Sequence, residues 1–383
     1  MKILFIGDFL RLSEINNRPN QNGNVQWWCK LLGCNLADLN FQVNALLSED
    51  YIISNNTPAN FYNGKKYNIL TINTENIYKS FNLEQNINSW LEIHDKTIDE
   101  INSPLINDII NLISQYDLVF GFELSPYIRS ILEKSGTCYV EGMLHPIRFY
   151  KDIIYAIKTN HPELKEKIFN ARLKYKDIVD YCKFISAKCE HRLSRLTLKE
   201  NSAVFFGQSF IDKSLYKNGK IIKPDDFRDK LFELAQNYEI LYVKPHPYNR
   251  HEDFFKVFNG LGKNIEIINE NAYKILSHAA VKKAATLTSS IGIEAKLFGK
   301  EVEFYSEYPF PVYEVSSQNA DDFIAVDSDY FYHYSFMEYL FSGGELKSGN
   351  YQGLIRKSLA QNWGFDVVDE LYELKEKSKE QIL

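Results

Sequence analysis

The stretch ILYVKPHP, residues 240–247, is an apolar run that ends in a basic turn held by two prolines. Four apolar residues bounded by a turn read as a strand buried on both faces, as in a parallel sheet. Proline fixes φ and stiffens the turn, so Lys244 and His246 are set as rigid polar groups at the sheet's carboxyl edge. The alternative is a purely structural turn with an incidental histidine. On either side the same alternation recurs. Strand-like runs fall at 203–206, 265–268, 281–287 and 302–305, and helical patterns at 225–236, 252–260, 272–278 and 290–298, with Gly299 at a helix end. An earlier series has strands at 2–6, 42–47, 68–72, 117–121 and 137–140, and helices at 25–38, 87–101, 106–115 and 126–134. Gly136 stands where a helix C-cap glycine belongs. Residues 162–188 read as one long helix or two in series, opened by Pro162. Strands alternating with helices predict parallel sheets covered by helices. The fold class is therefore α/β, with two Rossmann-like domains facing a central cleft. Residues 1–200 form the first domain, 201–350 the second, and 351–383 charged helices packing back across both.

Composition narrows the function. Of 383 residues, 45% are hydrophobic and 25% charged, which supports two sizeable cores. The net charge of −6 supplies no broad basic field for nucleic acid. No apolar run approaches the ~20 residues that span a bilayer, so membrane contact is at most peripheral. The N-terminal MKILFIGDFLRL turns polar too quickly for a signal peptide and reads as a first strand. Cys29, Cys34, Cys138, Cys182 and Cys189 lack paired metal spacing and fit a reducing cytoplasm.

Four segments carry candidate chemistry. Beyond Lys244 and His246, the run TLTSS (286–290) ends a strand in hydroxyls and opens a helix. Ser289 and Ser290, with free N–H groups at a helix start, suit a phosphate; an ordinary serine N-cap is the bland alternative. Glu294, one turn on, faces a ribose or water. In FGQSFIDKSL (206–215), Asp212 lies at the cleft and can act as nucleophile or base; from spacing alone, a loop cap explains it better. In domain one, YVEGMLHPIRF (139–149) follows a strand, opens a helix, and gathers Glu141, His145 and Arg148. Arg148 can clamp a carboxylate and Glu141 can serve as acid or base. A surface ion-pair cluster is the alternative. Glu123 ends the preceding strand, and Gly7-Asp8, at the end of the first strand, borders the cleft.

In this order, GFELSP (121–126), HPIRFYKD (145–152), FFGQSFIDKSL (205–215), VKPHP (243–247) and TSSIGIEAKLFGK (288–300) resemble the bacterial retaining β-Kdo transferases of O-antigen and capsule assembly. The KPHP turn and serine pair are shared more loosely with bacterial sialyltransferases. The resemblance implies a GT-B-like arrangement, with CMP-Kdo on domain two and a glycan or lipid-linked glycan acceptor on domain one. It implies that His246, Ser289 and Ser290 contact CMP, and that Asp212 is the nucleophile of a double displacement with net retention. Lys244 and Glu294 join the donor site. Glu141 is the first candidate for the base and Glu123 the second, while Arg148, Gln208 and His145 are candidates for reading the sugar and its carboxylate. No cofactor is expected. No D-x-D or clustered carboxylate motif stands out, so a metal-independent reaction is expected. The location expected is cytoplasmic, at the inner face of the membrane. The competing readings are an inverting CMP-sialic acid transferase and a non-catalytic sugar-nucleotide-binding protein of a capsule assembly complex.

Overall fold

The computed structural model describes residues 1–12, 22–50, 61–62, 65–192, 196–209, 212–246, 256–259, 261–262 and 264–349. The expected helix at 252–260 and the helices of 351–383 lie largely or wholly outside these residues.

Domain one is built on a seven-stranded sheet. Its strands are β1 (Lys2–Gly7), β2 (Gln42–Ser48), β3 (Asn68–Ile72), β4 (Leu118–Phe122), β5 (Cys138–Leu144), β6 (Ile154–Thr159) and, from far down the chain, β12 (Ile324–Asp327). Their order is β12-β6-β5-β4-β1-β2-β3. The pairings of β3 with β2, β2 with β1, β1 with β4 and β4 with β5 are parallel; those of β5 with β6 and β6 with β12 are antiparallel. Helices α1 (Asn22–Asp38), α2 (Thr74–Ser80), α3 (Ile87–His94), α4 (Pro104–Ile113), α5 (Pro126–Ser135), α6 (Pro162–Asn170) and α7 (Tyr175–Arg192) belong to this half. Ser103 and Ser125 cap α4 and α5 through their side chains, each followed by a first-turn proline, and Gly136 ends α5 at φ 71°.

Domain two carries a five-stranded sheet of β7 (Ser202–Phe206), β8 (Ile240–Lys244), β9 (Ile265–Ile267), β10 (Val281–Thr286) and β11 (Glu301–Phe304). Its order is β9-β8-β7-β10-β11, parallel throughout. Helices α8 (Arg228–Asn237), α9 (Ala272–Ser277) and α10 (Ile291–Leu297) accompany it. β7 is wholly buried, as a central strand requires.

Two expectations are corrected. No helix opens at 145. The chain runs irregularly to 153 and returns as β6, antiparallel to β5. Pro146 lacks an N–H, and the buried Ile147, Phe149 and Tyr150 pin the segment in an apolar cluster. The boundary at 350 also moves. From Ile324 the chain has already crossed to domain one, adding β12, α11 (Ser328–Phe331) and α12 (Tyr334–Ser342). Phe331 stacks on Tyr155 of β6 with centroids 4.7 Å apart. Between the halves lies an apolar cluster in which Met143, Phe149 and Ile178 meet Tyr273 and Ile293.

Candidate active site

Because β7, β8 and β10 run parallel, their carboxyl ends deliver residues 206–208, 244–246 and 286–290 to one edge. Ligands of open α/β sheets bind along that edge. Gly207 N–H donates to the Lys244 carbonyl (2.8 Å) and Thr286 Oγ1 to the Phe206 carbonyl (3.1 Å), which stitches the three strand ends together.

Asp212 caps the 3₁₀ turn Lys213–Leu215. Its Oδ1 accepts from Ser214 N–H (3.0 Å) and Ser214 Oγ (2.9 Å), and its Oδ2 from Gln208 Nε2 (3.1 Å). The capping geometry anticipated for Asp212 is thus present, and it immobilises the carboxylate with both oxygens engaged. Gln208 is buried and held in turn. Thr288 donates to its Oε1 through N–H and Oγ1, both at 3.2 Å, and its Nε2 lies 2.5 Å from Ser214 Oγ. The glutamine's amide is engaged by Asp212, Ser214 and Thr288. Burial lowers the pKa of His246; Asp212 opposes and Lys244 reinforces that shift. The imidazole of His246 is therefore neutral at pH 7.

The serines are half-buried at the start of α10. Ser290 is the N-cap residue but makes no side-chain cap bond, and Ser289 Oγ accepts weakly from Ile291 N–H (3.5 Å). Glu294 faces neither ribose nor water. It is buried, and its Oε1 accepts from Arg148 N–H (2.5 Å) and Tyr273 OH (3.0 Å). Burial raises its pKa to about 7.

On the domain-one side, Glu141 is 1% exposed and fully engaged. Arg129 donates to both of its oxygens, Nε at 2.7 Å and Nη2 at 2.9 Å, and Leu124 N–H adds a bond of 3.0 Å. A carboxylate clamped this way is a strut, not a poised base. Glu123 is the more accessible of the two, with its side chain 21% exposed and Oε2 3.5 Å from Arg11. It sits at φ 47°, which turns the chain sharply after β4. His145 is fully buried. Its Nδ1 accepts from Ile147 N–H (3.0 Å), its Nε2 has no hydrogen-bond partner among the described residues, and burial drives its pKa down to about 3. A neutral, enclosed imidazole cannot pair with a ligand carboxylate as a cation. Asp8 is buried behind the cleft surface, accepting from Leu10 and Arg11 N–H and from Trp90 Nε1.

Sequence reasoning missed Lys213, Ser214, Thr288 and Tyr308. Tyr308 stands within electrostatic reach of Arg148, Asp212, Glu123 and Glu294, groups from both domains. Lys213, Ser214 and Tyr308 also line a cavity of about 610 Å³ between the domains. The residues immediately after Asp212 were the available signal for the first two; Tyr308 stood in a loop with no motif. One D-x-D, Asp327-Ser328-Asp329, was also passed over; both carboxylates pair with Lys151, at 3.1 and 2.7 Å. Among the described residues no group of three or more His, Cys, Asp or Glu could hold a metal ion, and no helix is long and apolar enough to cross a membrane.

The fold is thus α/β, with two parallel-dominated α/β domains meeting at the carboxyl edge of the second sheet. Among solved structures it is similar to a Thermosulfurimonas dismutans KpsC, a beta Kdo 2,7 transferase, at 16% identity and TM-score 0.33, covering 55% of this chain and 72% of that one. It is similar to Arabidopsis thaliana UGT89C1 complexed with UDP at 12% identity and TM-score 0.29, covering 98% and 94%. For the E. coli heptosyltransferase WaaC the values are 10%, 0.25, 79% and 87%. No protein-family model matches the chain, and no curated relative does.

Proposed function

We propose that the protein is a glycosyltransferase that moves Kdo from CMP-β-Kdo to a glycan or lipid-linked glycan acceptor with net retention. The observation that carries this reading is the Asp212 carboxylate, held by Gln208 and Ser214 at the end of β7 beside His246. In the first step an Asp212 oxygen attacks the anomeric carbon, the bond to the CMP phosphate breaks, and CMP departs with the electron pair. In the second, the acceptor hydroxyl attacks the same carbon, its proton passes to a base, and Asp212 leaves as a carboxylate. Two inversions give retention. Phosphate is already a good leaving group, so the site's task is to stabilise its charge. Lys244, His246, Ser289 and Ser290 are the groups for CMP and Arg148 the group for the Kdo carboxylate. Glu123 takes the base role in preference to Glu141, because the latter is bound by Arg129. No cofactor or metal enters this scheme, and the reaction belongs to the inner face of the cytoplasmic membrane in surface-polysaccharide synthesis.

A second reading has its own support: the bonds from Ser214 to Asp212 are those of a cap, as a sugar-nucleotide-binding protein without turnover would need. Intact-mass measurement with CMP-Kdo generated in situ, without acceptor, separates the two. The expected result is a gain of one Kdo unit on the wild type, mapped to the peptide bearing Asp212 and absent from Asp212→Ala. No gain with CMP still bound would favour the binder or an inverting CMP-sugar transferase. A gain that persists in Asp212→Ala would overturn the nucleophile assignment.

A further inference from the structure

Lys213 belongs to domain two, yet its ammonium group ends in domain one. Nζ donates to the carbonyls of Glu123 and Leu124, both at 2.7 Å, and the side chain is buried. The receiving backbone is itself held by hydrogen bonds. Glu123 N–H donates to the Gly142 carbonyl (3.0 Å), and Leu124 N–H to Glu141, which Arg129 holds at two points. On the other side, Lys213 opens the 3₁₀ turn whose cap is Asp212, and the next residue, Ser214, makes two of the bonds that orient that carboxylate. Hydrogen bonds therefore run from Arg129 through Glu141 and Leu124 to Lys213, which the chain joins directly to Asp212.

We propose that Lys213 is a positioning residue: its ammonium group ties the packing of the two domains to the orientation of Asp212. The inference rests on the reading of Asp212 as the reacting group. The charged groups facing Lys213 are Arg129 on α5, which opposes its charge, and Asp8 after β1, Glu141 on β5 and Glu123 after β4, which favour it. The Phe310 ring lies 5.6 Å from Nζ. Burial outweighs the three carboxylates and lowers the pKa to about 8. Charge-assisted bonds are roughly twice as strong as neutral ones, so the tie slackens as pH rises through that value.

The test compares the wild type, Lys213→Met and Lys213→Arg. Turnover of CMP-Kdo is measured between pH 6 and 10, CMP affinity by calorimetry, and amide exchange by mass spectrometry in peptides covering 122–126 and 212–216. In Lys213→Met, kcat should fall by about 100-fold, the cost of a misplaced reacting group, with CMP affinity within about 2-fold of wild type and faster exchange in both peptides. Wild-type kcat should fall above pH 8, while Lys213→Arg, charged throughout, should keep activity and lose that limb. Unchanged kcat in Lys213→Met, or an identical alkaline limb in Lys213→Arg, overturns the proposal. If the wild type consumes no CMP-Kdo, the transferase reading fails, and the exchange data still judge the tie: unchanged exchange in Lys213→Met overturns it too. The wild-type pH profile needs no variant to fold.

Discussion

Glu294 shows how a single side chain can trade solubility in water for a structural bond. It lies on a helix of domain two, yet it accepts the Arg148 N–H of domain one, at the cost of losing nearly all contact with solvent. Burial favours the neutral form and raises the pKa from 4.5 to about 7. A carboxyl whose folded pKa lies above its unfolded value binds more protons when folded between those two values. Its contribution is fully present below about pH 4.5 and is lost as pH rises through 7. The difference corresponds to about 3 kcal/mol. Urea unfolding at pH 5 and pH 8 should therefore show a stability drop that Glu294→Gln largely abolishes, since the amide keeps an acceptor and cannot ionise. An equal drop in the variant would remove Glu294 as its source. Such a role was invisible in the spacing of Ser290 and Glu294, which says only that the two lie one helical turn apart.

Among the elements, β5 carries the tightest constraint. Gly142 packs directly under Trp28 of α1, and a β-carbon there would overlap that indole and crowd Ile157. The ring cannot retreat easily, because Phe122, Tyr155 and Phe331 surround it with centroids at 5.1, 5.9 and 5.5 Å. Gly142→Ala should destabilise the protein by about 1–3 kcal/mol, the usual range for overpacking a full core. The midpoint of urea denaturation checks this, and an unchanged midpoint would mean that α1 shifts freely. The strand itself was foreseen from its apolar run, although only to residue 140. Its continuation and the return of β6 were not, because HPIRF looks like a helix start until Ile147, Phe149 and Tyr150 find their buried cluster.

For the molecule as a whole, the return of the chain at Ile324 decides which parts can stand alone. β12 covers the β6 edge, and Phe331, Phe336 and Met337 join the core of domain one. A chain ended at residue 320 should expose that edge strand and an apolar face, features that promote aggregation. Size-exclusion chromatography with thermal unfolding should show aggregates or a non-cooperative transition. A monomer with the full chain's cooperative transition would mean that the returning segment is dispensable. The halves are also joined by the cluster of Phe149, Tyr273 and Ile293, by the Arg148–Glu294 bond and by Lys213.

Local pattern carried most of the architecture. Short apolar runs closed by glycine, proline or hydroxyl residues marked the parallel strands, because burial on both faces leaves few other compositions. The same runs placed Gln208, Asp212, His246 and the serine pair at strand ends. Partnership was settled elsewhere. That Glu141 is spoken for by Arg129, that His145 and Glu294 are enclosed, and that Lys213 reaches Glu123 and Leu124 all depend on chain segments 12 to 146 residues apart. Whether a carboxylate is reactive or structural depends on which donors reach it and how much water remains. Residue type and spacing do not encode either quantity until the sheets have closed on one another.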